Sequence, residues 1–102
     1  MIQLIFIEKR PVAGRVIEIT AGATIGRDGC DVVLPDPEAS RRHAIMHEIH
    51  GDPALEDLGS RNGTFVNESR IEGIVQLNEG DEVRFGNSVW RLSTPEAAES
   101  SR

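Results

Sequence analysis

Glycine, proline and asparagine interrupt this chain so often that no long helix can be written into it. Pro11 with Gly14, Ala21-Gly22, Asp28-Gly29, Pro35-Asp36-Pro37, Gly51-Asp52-Pro53, Asn62-Gly63 and Gly86-Asn87 each favour a turn over regular structure. The runs between these breaks are short and extended in character. Residues 1–8 interleave Ile2, Leu4 and Phe6 with Ile5 and Ile7, as a strand buried on one or both faces does. Residues 15–19 alternate again, which predicts a hairpin with the first run. Short extended segments follow at 24–27, 31–34, 43–49, 54–58 and 64–66, then at Val83 with Phe85 and at Val89 or Trp90 with Leu92. Only residues 38–49 carry a faint three-and-four apolar spacing. The chain therefore reads as all-β, and many short strands with Gly and Pro between them predict a two-sheet sandwich. Two details stay open or specific. The inward phase of residues 44–49 is ambiguous, since both alternating sets are partly apolar, and a bulge is one way to reset it. Asn62-Gly63 and Gly86-Asn87 each predict a tight hairpin, the first turning the chain between Leu58 and Thr64.

A chain of 102 residues supports one core and no second domain of any size. The domain is expected over 1–92, with residues 93–102, polar and poor in bulky apolar groups, as a disordered tail or the start of a linker. Seventeen acidic against eleven basic residues give a net charge of −6, which repels nucleic acid at long range. No apolar run approaches membrane-spanning length and no secretory leader is legible, so a soluble cytoplasmic protein is expected. Cys30 is the single cysteine and has no spaced Cys or His partners for a metal site. No cofactor is expected.

Three loop-like segments stand apart from this strand pattern: Gly26-Arg27, Ser40-Arg41-Arg42-His43 and Ser60-Arg61-Asn62-Gly63-Thr64. In this order, followed by Leu77, Gly80-Asp81 and Phe85-Gly86, they resemble the forkhead-associated (FHA) family from Thr24 to Leu92. Each fragment alone is weak, because Gly-Arg and Asn-Gly-Thr arise by chance. Their order and spacing together are specific. The resemblance implies an all-β, twisted two-sheet β-sandwich of SMAD/FHA type with its recognition loops at one end. It also implies binding of phosphothreonine peptides, a use for which FHA domains are a general example.

A threonine phosphate carries nearly two negative charges and three acceptor oxygens, so its reader needs cationic donors, hydroxyls and backbone N–H groups aimed at one point. Arg27 suits this: its guanidinium forks two donors onto oxygens, and flexible Gly26 beside it is expected to carry it to a sandwich rim. An ion pair with Asp28 or Asp31 is the bland alternative. Ser40 can donate a hydroxyl to the same phosphate and Arg41 a planar set of donors, against a reading as turn cap and solvated side chain. By resemblance Arg61 and Asn62 line the pocket and clamp the peptide main chain. Gly26, His43, Gly63 and Thr64 are structural members of the motif, with His43 holding the loop by hydrogen bonding. Arg42 points away from Arg41 on an extended segment and is left outside the site. Two positions depart from the family pattern: Arg61, where relatives often have a small polar residue, and Glu68, which follows Asn67 where many relatives have glycine.

Threonine is expected over serine: the buried γ-methyl is worth about 0.8 kcal/mol, roughly fourfold, and β-branching pre-orders the side chain. Glu38 and Ala39, just before the Ser-x-x-His motif, are expected to disfavour an acidic residue three positions after the phosphothreonine. The expected partner is a phosphothreonine protein, either a kinase substrate or a segment of the same parent protein such as Thr94-Pro95, read by a monomer with no nucleic acid or membrane involved. A phosphate-independent assembly module is the second reading, and an enzyme is disfavoured because no catalytic triad, P-loop or metal cluster is legible.

Overall fold

The computed structural model describes residues 3–10, 13–34 and 36–93. These form eleven strands and no helix: β1 (Gln3–Arg10), β2 (Val16–Thr20), β3 (Thr24–Gly26), β4 (Val32–Val33), β5 (Ala44–Ile49), β6 (Asp52–Asp57), β7 (Thr64–Val66), β8 (Ser69–Arg70), β9 (Ile74–Gln76), β10 (Glu82–Phe85) and β11 (Ser88–Ser93). They pair into a six-stranded sheet, β2-β1-β11-β10-β7-β8, and a five-stranded sheet, β4-β3-β5-β6-β9.

Side-chain alternation decides which residues lie between the sheets. In β1, Leu4 and Phe6 are buried and pair across the ladder with Ile19 and Ile17 of β2, while Phe6 also faces Leu92 of β11. Val83, Phe85 and Trp90 complete the inner face of this sheet, and Ile25, Ala44, Met46 and Leu55 supply the other. Burying a large apolar side chain of this kind contributes roughly 1.5–3 kcal/mol. The rings of Phe6 and Phe85 meet at 6.1 Å between centroids, tilted by 58°.

The ambiguous phase of β5 is resolved by its ladder. Ala44 and Met46 point inward, and β5 pairs with β6 without interruption from Ala44↔Asp57 to Ile49↔Asp52, so no bulge resets it. The irregularity falls instead in β1, between Glu8 and Arg10. The β1–β2 hairpin forms as expected. The turn expected at Gly51-Asp52-Pro53 sits one step earlier, on His50 and Gly51 with φ of 53° and 83°, and Asp52 and Pro53 belong to β6. Short β8 and β9 have no alternating apolar run to announce them.

The Asn62-Gly63 hairpin is not there. β6 and β7 belong to different sheets, so the segment between them crosses the sandwich, and of the two residues only Gly63 has positive φ. The tight turn of that kind is Asn67-Glu68, joining β7 to β8, with φ of 50° and 71°. Gly86-Asn87 does close β10 onto β11, with Gly86 alone at positive φ. Ser93 is still in β11, so the strand runs one residue past the expected domain boundary; residues 94–102, including Thr94, lie outside the described residues.

The consequence for function is geometric. The end of β3, the connection from β4 to β5, the connection from β6 to β7 and the Gly86-Asn87 turn all gather at one end of the sandwich. Gln3 and Ser93 lie at the other.

Candidate functional site

Three loops are tied together at this end, and His43 is the pin. Its ring is wholly buried. Nδ1 accepts a hydrogen bond from the Ser40 N–H at 3.0 Å, which leaves Nε2 to carry the proton and donate to the Gly63 carbonyl at 2.9 Å. The ring also stands edge-on to Phe85, 5.5 Å between centroids, so the core orients the pin. His43 thus joins the 34–43 and 58–63 connections, the loop-holding role expected for it.

Gly26 is needed for a different reason from the one the sequence suggested. It ends β3, is buried, and has no positive φ; what it provides is room. A Cβ here would collide with the Arg41 carbonyl oxygen and lie 2.7 Å from its carbon and 2.9 Å from Cys30 Sγ. The missing side chain lets β3 run against the Ser40–Arg41 backbone, and the contact is secured by Arg27 N–H to Ser40 O at 2.9 Å.

Arg27 is then fixed at both ends. Its Nε donates to the Ala39 carbonyl at 3.1 Å, which leaves the two terminal amino groups of the guanidinium to face outward. The bland alternative fails: Asp31 is engaged by Thr24, through its N–H at 3.1 Å and its hydroxyl at 3.3 Å, and Arg27 makes no ion pair among the described residues. Ser40 Oγ accepts the Arg61 N–H at 2.8 Å, so its own proton remains available to an acceptor outside. Asn62 Nδ2 reaches the Glu38 carbonyl at 2.7 Å and the Glu38 carboxylate at 3.3 Å, stitching the same two loops on their exposed side.

The result is a cleft of about 460 Å³ lined by Arg27, Pro37, Glu38, Ala39, Ser40, Arg41, Arg61 and Asn62. All five residues expected to bind are brought together there, and Arg42 is not among them. Three arginines against one glutamate make the cleft locally cationic on a chain of net charge −6. Low-dielectric walls focus such a local field, and screening over about 8 Å in physiological salt mutes the distant acidic groups.

Sequence reasoning missed the residue that shapes the second loop. Asp57, the last residue of β6, accepts the Gly59 and Ser60 N–H groups at 3.0 and 3.1 Å through Oδ2, and the Ser60 and Thr64 hydroxyls through Oδ1, the latter at 2.7 Å. Burial pushes its carboxyl up, but these bonds together outweigh that and hold it below the ordinary range. Ser60 and Thr64 consequently face inward, and the exposed side chains of the loop are those of Arg61 and Asn62. An Asp two and three residues before a Gly-Ser pair is the Asx-turn signal that could have found it. Asp36 does the same for the neighbouring loop: it accepts from Glu38 N at 3.0 Å, Asn87 N at 2.8 Å and Ser88 Oγ at 2.7 Å. Burial again raises its carboxyl and hydrogen bonding brings it below the usual value.

The FHA domain family model matches residues 23–86, which spans all three loops and the strands that carry them. The chain belongs to the FHA family. Its relatives include the FHA domain-containing protein FhaB of Mycolicibacterium smegmatis, 34% identical over 88% of this chain and 59% of that protein. The transcriptional regulatory protein EmbR of Mycobacterium tuberculosis is 39% identical over 72% of this chain. The match covers only 19% of EmbR, so this FHA chain corresponds to a fraction of that relative's length. Among solved structures, an FHA domain studied for phosphothreonine-dependent interactions superposes with a TM-score of 0.80 at 31% identity, covering 90% of this chain and 96% of that one. The FhaA FHA domain, complexed with the intracellular domain of a second protein, gives 0.77 at 32% identity over 87% and 98%. EmbR of M. tuberculosis with a low-affinity phosphopeptide gives 0.81 at 29% over 91% and 24%.

Proposed function

We propose that this FHA domain is a phosphothreonine-peptide binding module, mediating phosphorylation-dependent protein–protein interaction in signalling. The observation that carries the reading is the convergence, in one cleft, of unspent donors from separate loops: the Arg27 amino groups, the Ser40 hydroxyl, and the Arg41 and Arg61 side chains. Arg27 and Ser40 are positioned by hydrogen bonds that use their other atoms, so little ordering of these two is left to do when an anion arrives. EmbR, solved in complex with a low-affinity phosphopeptide, supports a phosphopeptide-binding use of this fold. No group in the cleft is set up as nucleophile or base, and the module is proposed to bind without catalysis, as a monomer in the cytoplasm, with neither nucleic acid nor membrane as partner.

Phosphorylated Thr94 of a neighbouring copy is one candidate ligand, and the described strand ends well away from the cleft. Ser93 stands six residues along β11 from the Asn87 end, roughly 17–20 Å away, and Thr94 is its immediate neighbour.

The reading is tested by calorimetric titration of matched peptides differing only in the phosphoryl group. Phosphorylated peptide should bind at least tenfold more tightly, Arg27→Ala and Ser40→Ala should each remove most of that difference, and phosphothreonine should exceed phosphoserine by about fourfold or more. Equal affinity for the two peptides would favour the phosphate-independent assembly module instead.

A further inference from the structure

A second cleft, of about 430 Å³, opens on the outer face of the six-stranded sheet at the same end of the molecule. Nothing in the phosphate-reading loops uses it. Its floor is a cross-strand row set by the ladder: Arg10 of β1 opposite Val89 of β11, Val89 opposite Arg84 of β10, and Arg84 opposite Phe65 of β7. Arg84 is not a loose surface charge. Its guanidinium lies over the Phe65 ring at 4.0 Å, and one amino group donates to the Gly86 carbonyl at 3.4 Å. A stacked guanidinium keeps its remaining in-plane N–H groups fixed in direction, ready for a planar or tetrahedral oxyanion. Arg10 is exposed, and its side chain makes no hydrogen bond or ion pair among the described residues.

Two acidic residues, Glu68 and Glu82, share the lining. Glu82 is offset by Lys9, 3.7 Å away. Glu68 sits on the Asn67-Glu68 turn, and no side-chain hydrogen bond or ion pair holds it among the described residues. The fixed group in this cleft is therefore cationic.

The two clefts are separated by a thin wall. Gly86 and Asn87, which line the second, pack directly on residues 36–39, whose members line the first: Asn87 N–H bonds Asp36 Oδ2 at 2.8 Å, and a Cβ on Gly86 would be 2.8 Å from Ala39 N and Glu38 C. Seven residues of extended peptide reach roughly 23 Å, close to the 25 Å of the molecule's shortest dimension, so a peptide seated in the first cleft can span the wall to the second.

We infer that this cleft is a second anion subsite, in which Arg84, assisted by Arg10, receives an acidic side chain of the same phosphopeptide whose phosphothreonine sits between Arg27 and Ser40. This rests on the phosphothreonine reading of the first cleft. The ligand group is a carboxylate or a second phosphate, which share the chemistry Arg84 offers. The subsite would make the domain select partners phosphorylated within an acidic stretch, with the acidic residue received across the wall from Glu38, which is expected to disfavour one.

The test is a set of phosphothreonine peptides in neutral flanks, each with one glutamate placed in turn from four residues before to six after the phosphothreonine, titrated against wild type, Arg84→Gln and Arg10→Gln. One position or two adjacent ones should gain roughly three- to tenfold in wild type, and the gain should vanish in Arg84→Gln and shrink in Arg10→Gln. Replacing that glutamate by glutamine, or by phosphoserine, tells a carboxylate preference from a phosphate preference. Because Arg84 packs on Phe65, the exposed Arg10 variant provides the arm free of folding effects, and unchanged affinity of both variants for the all-neutral phosphopeptide separates a subsite defect from a general one. No position-specific gain, an equal gain in all three proteins, or a gain for lysine in place of glutamate overturns the subsite while leaving phosphothreonine binding intact. Loss of the phosphoryl-group dependence itself would instead remove the reading on which it stands.

Discussion

Replacing Asp57 by alanine should destabilise this domain more than almost any other polar substitution at its binding end. The change removes one acceptor group and strands four donors: the Gly59 and Ser60 N–H groups and the Ser60 and Thr64 hydroxyls. The exposed Gly59 amide is rescued by water, and the part-buried Ser60 amide less so. The hydroxyls are not, because Thr64 is wholly buried and Ser60 is 7% exposed. A buried hydroxyl left unpaired costs about 1–3 kcal/mol, and relief of carboxylate desolvation returns part of the total, so Asp57→Ala should cost about 3 kcal/mol. Asp57→Asn is the informative control. Its carbonyl oxygen can keep the two amides while its amino group faces the hydroxyls, which rotate to accept, so only charge assistance is lost, about 1 kcal/mol. Urea unfolding followed by the fluorescence of Trp90, the single tryptophan and fully buried, measures both. Affinity for a phosphothreonine peptide should follow the same order, because Arg61 and Asn62 ride on the loop that Asp57 shapes. An alanine variant within about 0.5 kcal/mol of wild type, or an asparagine variant as unstable as the alanine one, would refute this account of the loop.

Three further outcomes follow from the same geometry. Glu68→Gly should raise stability by about 0.5–1 kcal/mol, because Glu68 holds φ of 71° that glycine adopts without strain; a lower melting temperature would count against it. Gly26→Ala should lower both melting temperature and phosphopeptide affinity, since the added methyl forces β3 away from Ser40–Arg41; retention of both would contradict the close-approach explanation. Asp36 and Asp57 have folded-state values below their unfolded ones, so the stability they contribute is complete above about pH 4 and lost as pH falls through the folded values. Unfolding free energy should therefore decline on acidification below about pH 4, with a shallower slope in Asp57→Asn; an unchanged slope would detach Asp57 from the effect.

Much of this architecture was legible from residue order, and the failures share a cause. Alternation in residues 1–8, 15–19 and 43–49 placed the long strands, because period two is imposed by a buried face over several residues. Ile74–Gln76 and Ser69–Arg70 are too short to show a period, and their strand character comes from pairing with Leu55 and Phe65 across the ladder. Asn62-Gly63 misled because the dipeptide reports local turn preference only. Here the Asn62 side chain is used over distance, on the Glu38 carbonyl, and the chain crosses between sheets. Arg27, Ser40, Arg41, Arg61 and Asn62 were visible as candidate ligand groups and do share a cleft. Asp36 was read only as part of a turn, and Asp57 only as part of an extended run. Asp57 acts inside one loop, but Asp36 reaches Ser88, 52 residues on, and no local pattern shows such a partner.

The claim on which the rest depends is that phosphate contacts are made by Arg27, Ser40 and the Arg41 and Arg61 side chains. Amide chemical-shift mapping during titration with a phosphothreonine peptide tests it directly. The largest shifts should fall on Arg27, Ser40, Arg41, Arg61 and Asn62, and the unphosphorylated peptide should leave them in place. Shifts clustered instead near Gln3, Thr20 and Ser93, at the opposite end of the sandwich, would contradict it.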